Sequence, residues 1–205
     1  ITARDQYSNV IPGIAAANVV VASTGTDNTI IQPAADTDVN GQTTATVSST
    51  KSENKTISVT INATGITQTQ VLTVAPDVVS AATSTLAIAP STITAGGTGT
   101  TVTITARDQY SNVIPGIAAA NIVVAALPAT NNTITQPALA TDANGQTQAT
   151  VASTNTDPRT ISVTINATPI TQTQALTVNA ATPVTMSFTT QPSATATAGV
   201  NLAVQ

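Results

Sequence analysis

In residues 101–106, Val102, Ile104 and Ala106 alternate with Thr101, Thr103 and Thr105. That two-residue period predicts a strand with one buried face. The rhythm returns over residues 146–152, where Thr147, Ala149 and Val151 share a side. It returns again where Ile161, Val163 and Ile165 enclose Ser162 and Thr164. Residues 85–89 predict a strand ended by Pro90, since proline is confined to strand ends and edges. Residues 133–136 predict a short strand. Residues 117–126 are apolar enough to predict a strand buried on both faces, and residues 170–178 a closing strand with Leu176 and Val178 inward. No segment sustains a 3.6-residue apolar period, so essentially no helix is expected. Turn chemistry lies between these runs: Gly96-Gly97, the DQYSN of residues 108–112, Pro115-Gly116, a loop at 127–132, and Asp142 to Gly145, whose Asn-Gly suits positive φ.

The pattern is written twice. Residues 1–18 and 104–121 are identical, at an offset of 103. ISVTINAT occupies 57–64 and 161–168, at an offset of 104, so one residue is inserted between Ala22 and Asn28 or their counterparts Ala125 and Asn132. A period near 100 residues is the size of an independently folding domain rather than of a solenoid repeat. The predicted organisation is a first module over 1–78 lacking its N-terminal strand, a complete module over 79–180, and the first strand or strands of a following module over 181–205. Register would be kept if Gln205 were followed by Ile1, so the chain reads as one period of a longer array. About seven short strands per module, with turns roughly every 8–14 residues, predict an all-β fold of tandem antiparallel sandwiches of immunoglobulin type.

Composition narrows the chemistry. Hydrophobic residues make up 41% of the 205, enough for a core, but the only aromatics are Tyr7, Tyr110 and Phe188. Five basic and nine acidic residues leave a net charge of -4, with no basic footprint for nucleic acid. No polybasic patch or long apolar run suits direct membrane insertion. With neither cysteine nor histidine, the usual general bases, nucleophiles and zinc ligands are missing, so no enzyme activity and no cofactor are expected.

The motifs add a family likeness. Asp108-Gln-Tyr-Ser-Asn112, then Pro115-Gly116, then Thr141-Asp142-Ala-Asn-Gly145 before an alternating strand resembles the bacterial immunoglobulin-like domain of the invasin and intimin group. That pattern is D-x-x-G-N-x-x-P-G followed by T-D-x-x-G. The first module repeats it at Asp5 to Asn9, Pro12-Gly13 and Thr37 to Gly41. Ser8 and Ser111 stand where the family usually has glycine. The resemblance covers almost the whole chain and implies the sandwich fold, and stalk units of surface adhesins as the setting.

The candidate sites are therefore structural. Asp5, Asn9, Pro12, Gly13, Asp38 and Gly41, with Asp108, Asn112, Pro115, Gly116, Asp142 and Gly145, are expected to build turns. Calcium is the competing reading for the aspartates, but calcium needs six to eight clustered oxygens, and the acids are dispersed. No metal is expected. Asn54, Asn62, Asn131 and Asn166 lie in N-x-Ser/Thr sequons and are candidate glycosylation sites. Lys51 and Lys55 sit with Glu53 in a hydrophilic stretch where the second module has Asn155 and Arg159. A solvated loop is expected there, not a lysine crosslink. Tyr7 and Tyr110 are expected to cap the sandwich ends.

The expected function is mechanical: a structural repeat unit of a long extracellular stalk, fibre or filament at a microbial cell surface. Its expected partners are neighbouring identical modules. The alternative is a multivalent module recognising a host receptor, glycan or cell-wall polymer. A minor variant has a strand of one module completing the sheet of its neighbour.

Overall fold

The computed structural model describes residues 1–187, 195 and 197–199. Most of the expected start of a following module, residues 188–194, 196 and 200–205, lies outside the described residues. The first repeat contributes β1 (Val19–Ser23), β2 (Asn28–Ile31), β3 (Thr46–Ser49), β4 (Asn54–Ile61), β5 (Thr64–Gly65) and β6 (Gln70–Thr73). The second contributes β7 (Thr85–Ala89), β8 (Thr92–Thr94), β9 (Thr100–Thr105), β10 (Ile122–Leu127), β11 (Asn132–Thr135), β12 (Gln146–Ser153), β13 (Arg159–Ile165), β14 (Thr168–Pro169) and β15 (Gln174–Asn179). Helix among the described residues amounts to two 3-10 turns, Ala16–Asn18 and Ala119–Asn121.

The second repeat is a two-sheet sandwich. One sheet runs β11-β12-β9-β7, and the other runs β10-β13-β15-β8 with β14 beside β13. Val102, Ile104 and Val151 from the first sheet meet Ile122, Val124, Ile161, Val163, Ile165, Leu176 and Val178 from the second in one core. These are the inward positions of the two-residue period. β-branched aliphatics fill the space between the sheets without aromatic mass.

Two predicted strands are shorter than the sequence suggested. The apolar run 117–126 is strand only in β10, where burial alternates. Before it, residues 117–118 are irregular and Ala119–Asn121 a 3-10 turn, as the chain passes from the sheet of β9 to that of β10. The run 170–178 is irregular until β15 begins at Gln174. Two strands were not anticipated, β8 and the two-residue β14. β8 follows Pro90, leaves the sheet of β7, and pairs in parallel with β15, Ile93 opposite Val178. All other strand pairings among the described residues are antiparallel.

Glutamine side chains extend the sheets. Gln136 accepts from the Val124 N–H and donates to the Val124 carbonyl, each at 2.8 Å, and so occupies the free edge of β10. Gln32 does the same for Val21 on β1. An edge engaged in this way offers less unpaired backbone to other chains. Gln172 and Gln174 join β7 to the end of the second repeat through the N–H and carbonyl of Leu86.

In the first repeat β1, β4, β5 and β6 form one sheet and β2-β3 a separate pair. Residues 1–78 hold no counterpart of β7 or β8, and Thr2 opposite Gln42 is what remains of the β9–β12 ladder. Val47, Ile57, Val59, Ile61 and Leu72 are accordingly half-buried, whereas Val151, Ile161, Val163, Ile165 and Leu176 are fully covered. A smaller core of Ala3, Ile14 and Val19 remains.

Candidate functional site

The DQYSN turn is built the same way twice. Asp108 Oδ1 accepts the N–H groups of Tyr110 and Asn112, both at 2.9 Å, and Oδ2 accepts Asn112 Nδ2 at 2.8 Å. Asp5 Oδ1 accepts from Tyr7 and Asn9 at 2.9 and 2.8 Å, and Oδ2 from Asn9 Nδ2 at 2.9 Å. An aspartate gathering the donors of its own turn is a local alternative to sheet pairing. Ser8 and Ser111 close the turns at φ 68° and 67°, where the resembling pattern has glycine. Arg4 and Arg107 each donate through Nη1 to the serine carbonyl, at 2.8 Å.

The second motif ties this turn to the next one. Thr141 Oγ1 donates to the Ile114 carbonyl at 2.8 Å and accepts the Ile117 N–H at 2.9 Å. The Gly116 N–H reaches the Thr141 carbonyl, and the Thr141 N–H reaches Ile117. Gly145 has φ 70°, and a Cβ there would lie 2.8 Å from the Ala106 carbonyl oxygen, so backbone contact forbids a side chain. Thr37, Gly13 and Gly41 make the same arrangement with Ile11, Ile14 and Ala3. Gly13 and Gly116 take φ 73° and 77° with open space around them, so their requirement is conformational alone. Pro12 and Pro115 precede them on the exposed surface. Asp38 and Asp142 Oδ1 each accept two N–H groups, of Asn40 and Gln42 and of Asn144 and Gln146, all at 2.8 Å.

These hydrogen bonds govern the carboxyl pKa values. The Asn9 side chain, then the Asn9 and Tyr7 N–H groups, holds Asp5 below its ordinary value. The Gln42 and Gln146 N–H groups do the same for Asp38 and Asp142. For Asp108, burial acts upward but is outweighed by Asn112 and by the N–H groups of Asp77, Asn112 and Tyr110, so its carboxyl also lies low.

The second copy of the DQYSN turn differs in what it touches. Asn112 Oδ1 accepts the Ser52 N–H at 3.0 Å, and Asn112 Nδ2 donates to the Thr50 carbonyl at 2.8 Å, sixty or more residues back in the chain. Asp108 Oδ2 accepts the Asp77 N–H at 3.0 Å, and Gln109 Nε2 donates to Asp77 Oδ2 at 2.9 Å. Residues 80–84 continue along the same end of the sandwich. The Ser80 N–H donates to the Arg107 carbonyl, Thr83 Oγ1 to that of Asp108, and the Thr171 N–H to that of Ala81. Val79 packs on the core. Nothing in the sequence pattern marked Thr50, Ser52 or Asp77 as members of this junction between repeats.

Other candidates are relocated. Lys55 is not in a solvated loop; its side chain is fully buried on β4, ion-paired with Glu53 and donating to the Thr26 carbonyl. The Lys55 ammonium holds Glu53 below its ordinary pKa. Gly25, at φ 78°, leaves the space Glu53 occupies. The counterpart Arg159 is 1% exposed, donates to Ser153 Oγ and the Thr130 carbonyl, and has no carboxylate partner among the described residues. Strand alternation overrides the local hydrophilicity and turns both cations inward. Lys51 is exposed. Tyr7 and Tyr110 do not cap the sandwich; their residues are 76% and 51% exposed, because the turn closes through its backbone and directs the rings outward.

Three sequon asparagines have a conformational role. Asn62-Ala63 and Asn166-Ala167 all take positive φ, the requirement of a type I′ hairpin turn, and Asn131 has φ 62°. Asn54 Oδ1 accepts from Thr73 Oγ1 across β4–β6. Among the described residues no group of three or more acidic side chains is placed to hold a metal ion.

Comparison with known proteins finds similar domains. Residues 80–181 match the family model of invasin domain 3. The chain is similar to the structure of Yersinia pseudotuberculosis InvD at 25% identity and a TM-score of 0.61, over 91% of this chain and 53% of that one. It is similar in fold to the Escherichia coli adhesin FdeC at 21% identity and a TM-score of 0.54, over 85% of this chain and 56% of that one. The chain thus spans little more than half the length of either structure. No curated protein sequence matches it.

Proposed function

We propose that this chain, whose second module is an invasin-type immunoglobulin-like domain, is a structural repeat unit of an extracellular stalk or filament at a microbial cell surface. The observation that carries the reading is the hydrogen-bonded junction of Asn112 with Thr50 and Ser52 between two near-identical modules. Its boundaries in this reading are a first module over 1–78 without its N-terminal strand, a second over 79–180, and the start of a third over 181–205. The mechanism is geometric. The longest strands, of 8 residues, add about 26 Å to each module at ~3.3 Å rise, and the junction keeps successive modules in line. The neighbouring modules are then the working partners of each unit.

The matching exposed Tyr7 and Tyr110 favour a second reading, weak multivalent contact with a host receptor, glycan or cell-wall polymer. One experiment separates the two. The chain is inserted, in one and then two copies, between a surface anchor and a small epitope tag on a bacterium. A stalk unit brings the tag further above the surface with each copy and leaves adherence to host cells unchanged. Adherence that appears with the chain and rises with copy number replaces the stalk by the binding reading.

A further inference from the structure

We propose that the DQYSN turn is a docking site for the main chain of the preceding module, with Asn112 as the positioning residue that fixes the angle between them. The inference rests on the stalk reading and specifies how its joint is made. The molecule contains the turn in two states. Asp5 and Asn9 are exposed, whereas Asp108 and Asn112 are 0% and 5% exposed. The internal hydrogen bonds of the turn are the same in both. Docking therefore uses a preformed surface, which lowers the ordering cost of association.

The chemistry selects asparagine. One Nδ2 hydrogen is committed to the aspartate within the turn. The remaining Nδ2–H and Oδ1 face a carbonyl and an N–H two residues apart, on Thr50 and Ser52. Only a carboxamide presents donor and acceptor together on one short planar group. An aspartate there would set an anion against the Thr50 carbonyl. Asp77, held by the Asp108 carboxylate and by Gln109, supplies a second fixed point, so the joint resists rotation as well as bending.

The recognised groups are main chain, so side chains on the docked turn are free to vary. The counterpart turn of the second module shows this. Ser153 Oγ bonds Asn155 as Ser49 Oγ bonds Lys51, and the Thr154 N–H reaches the Asn131 carbonyl as that of Thr50 reaches Asp27. The scaffold is retained although Lys51 becomes Asn155 and Ser52 becomes Thr156. The fitting partner is thus any repeat of this kind, and repeats can follow one another in any order without a new interface.

The test compares Asn112→Ala with Asn9→Ala in the full chain. Both variants lose the same bond inside the turn, but only Asn112 has a docked module. Residual dipolar couplings of β1 and β4 and of β12 and β13 should fit one alignment tensor in the wild type and in Asn9→Ala, and two in Asn112→Ala. Amide exchange at Ser52 should accelerate at least tenfold in Asn112→Ala alone. A single tensor with unchanged Ser52 exchange in Asn112→Ala overturns the docking assignment and leaves the stalk reading standing; adherence in the display assay does the reverse. If Asn112→Ala unfolds the second module, Asn112→Asp is measured by the same exchange at Ser52, and wild-type protection there overturns the proposal.

Discussion

Single residues in this chain carry conformations their side chains do not favour. Ser8 and Ser111 sit in the left-handed region at φ 68° and 67°. For a residue with a Cβ this costs roughly 1–2 kcal/mol, partly offset by the entropy glycine would lose on folding. Ser111→Gly is therefore expected to stabilise the second module by about 0.5–1 kcal/mol, read as a shift in the urea midpoint at constant m-value. An unchanged or lower midpoint would show that the Ser111 side chain contributes more than its strain. Gly145 is the opposite case, because the Ala106 carbonyl and the Ile114 N–H lie where its Cβ would be. The buried cations follow a third logic. Lys55 keeps a carboxylate within reach, while Arg159 relies on a hydroxyl and a carbonyl, with Nη1 unpartnered among the described residues.

At the scale of elements, the turns are joined to each other as well as to the strands. Thr141 spans from the DANG turn to both sides of the Pro115-Gly116 turn, and it is 4% exposed. Thr141→Val keeps the volume, removes a donor and acceptor, and leaves the buried Ile117 N–H without that partner. The expected loss is about 1–3 kcal/mol, seen in chemical unfolding, with slower effects on β13 and β15 exchange than on β10 exchange. A neutral result would mean that the two backbone bonds between Thr141 and its neighbours suffice. The parallel β8–β15 pair is equally an element-scale feature. Proline 90 ends β7, and the next three paired residues belong to the opposite sheet.

For the whole molecule, pH should act through the turn carboxylates. Asp5, Asp38, Asp108, Asp142 and Glu53 all lie below their ordinary values in the folded chain. A depressed folded pKa means that the unfolded chain takes up protons first. The stability these groups add is complete above about pH 5, and is lost as pH falls through about 4 and on through the folded values. The chain has no histidine, so no side chain with an ordinary pKa titrates between about pH 5 and 7. The thermal midpoint should be flat across that interval and drop below it, with the junction loosening in the same range as Asp108 releases Asp77. A midpoint that rises on acidification to about pH 3 would contradict the assignment of these aspartates to turn stabilisation.

The sequence by itself determined what is local or repeated. Alternation placed the inward faces of β9, β12 and β13; Gly, Asn and Pro marked the turns; and the doubled text exposed the period. The strand and turn signals lie within a few residues of their effects, because strand facing and turn type are set by φ, ψ and side-chain period. Only the tertiary structure decided what depends on distant partners. It brought Ile93 beside Val178, turned Lys55 and Arg159 into the interior, and set Asn112 against Thr50 and Ser52. In the last case the partners present main-chain atoms alone, and every residue type carries the same N–H and carbonyl. Asn112 is buried because residues 50–52 pack on the second copy of the turn, a contact that no local signal in the sequence encodes.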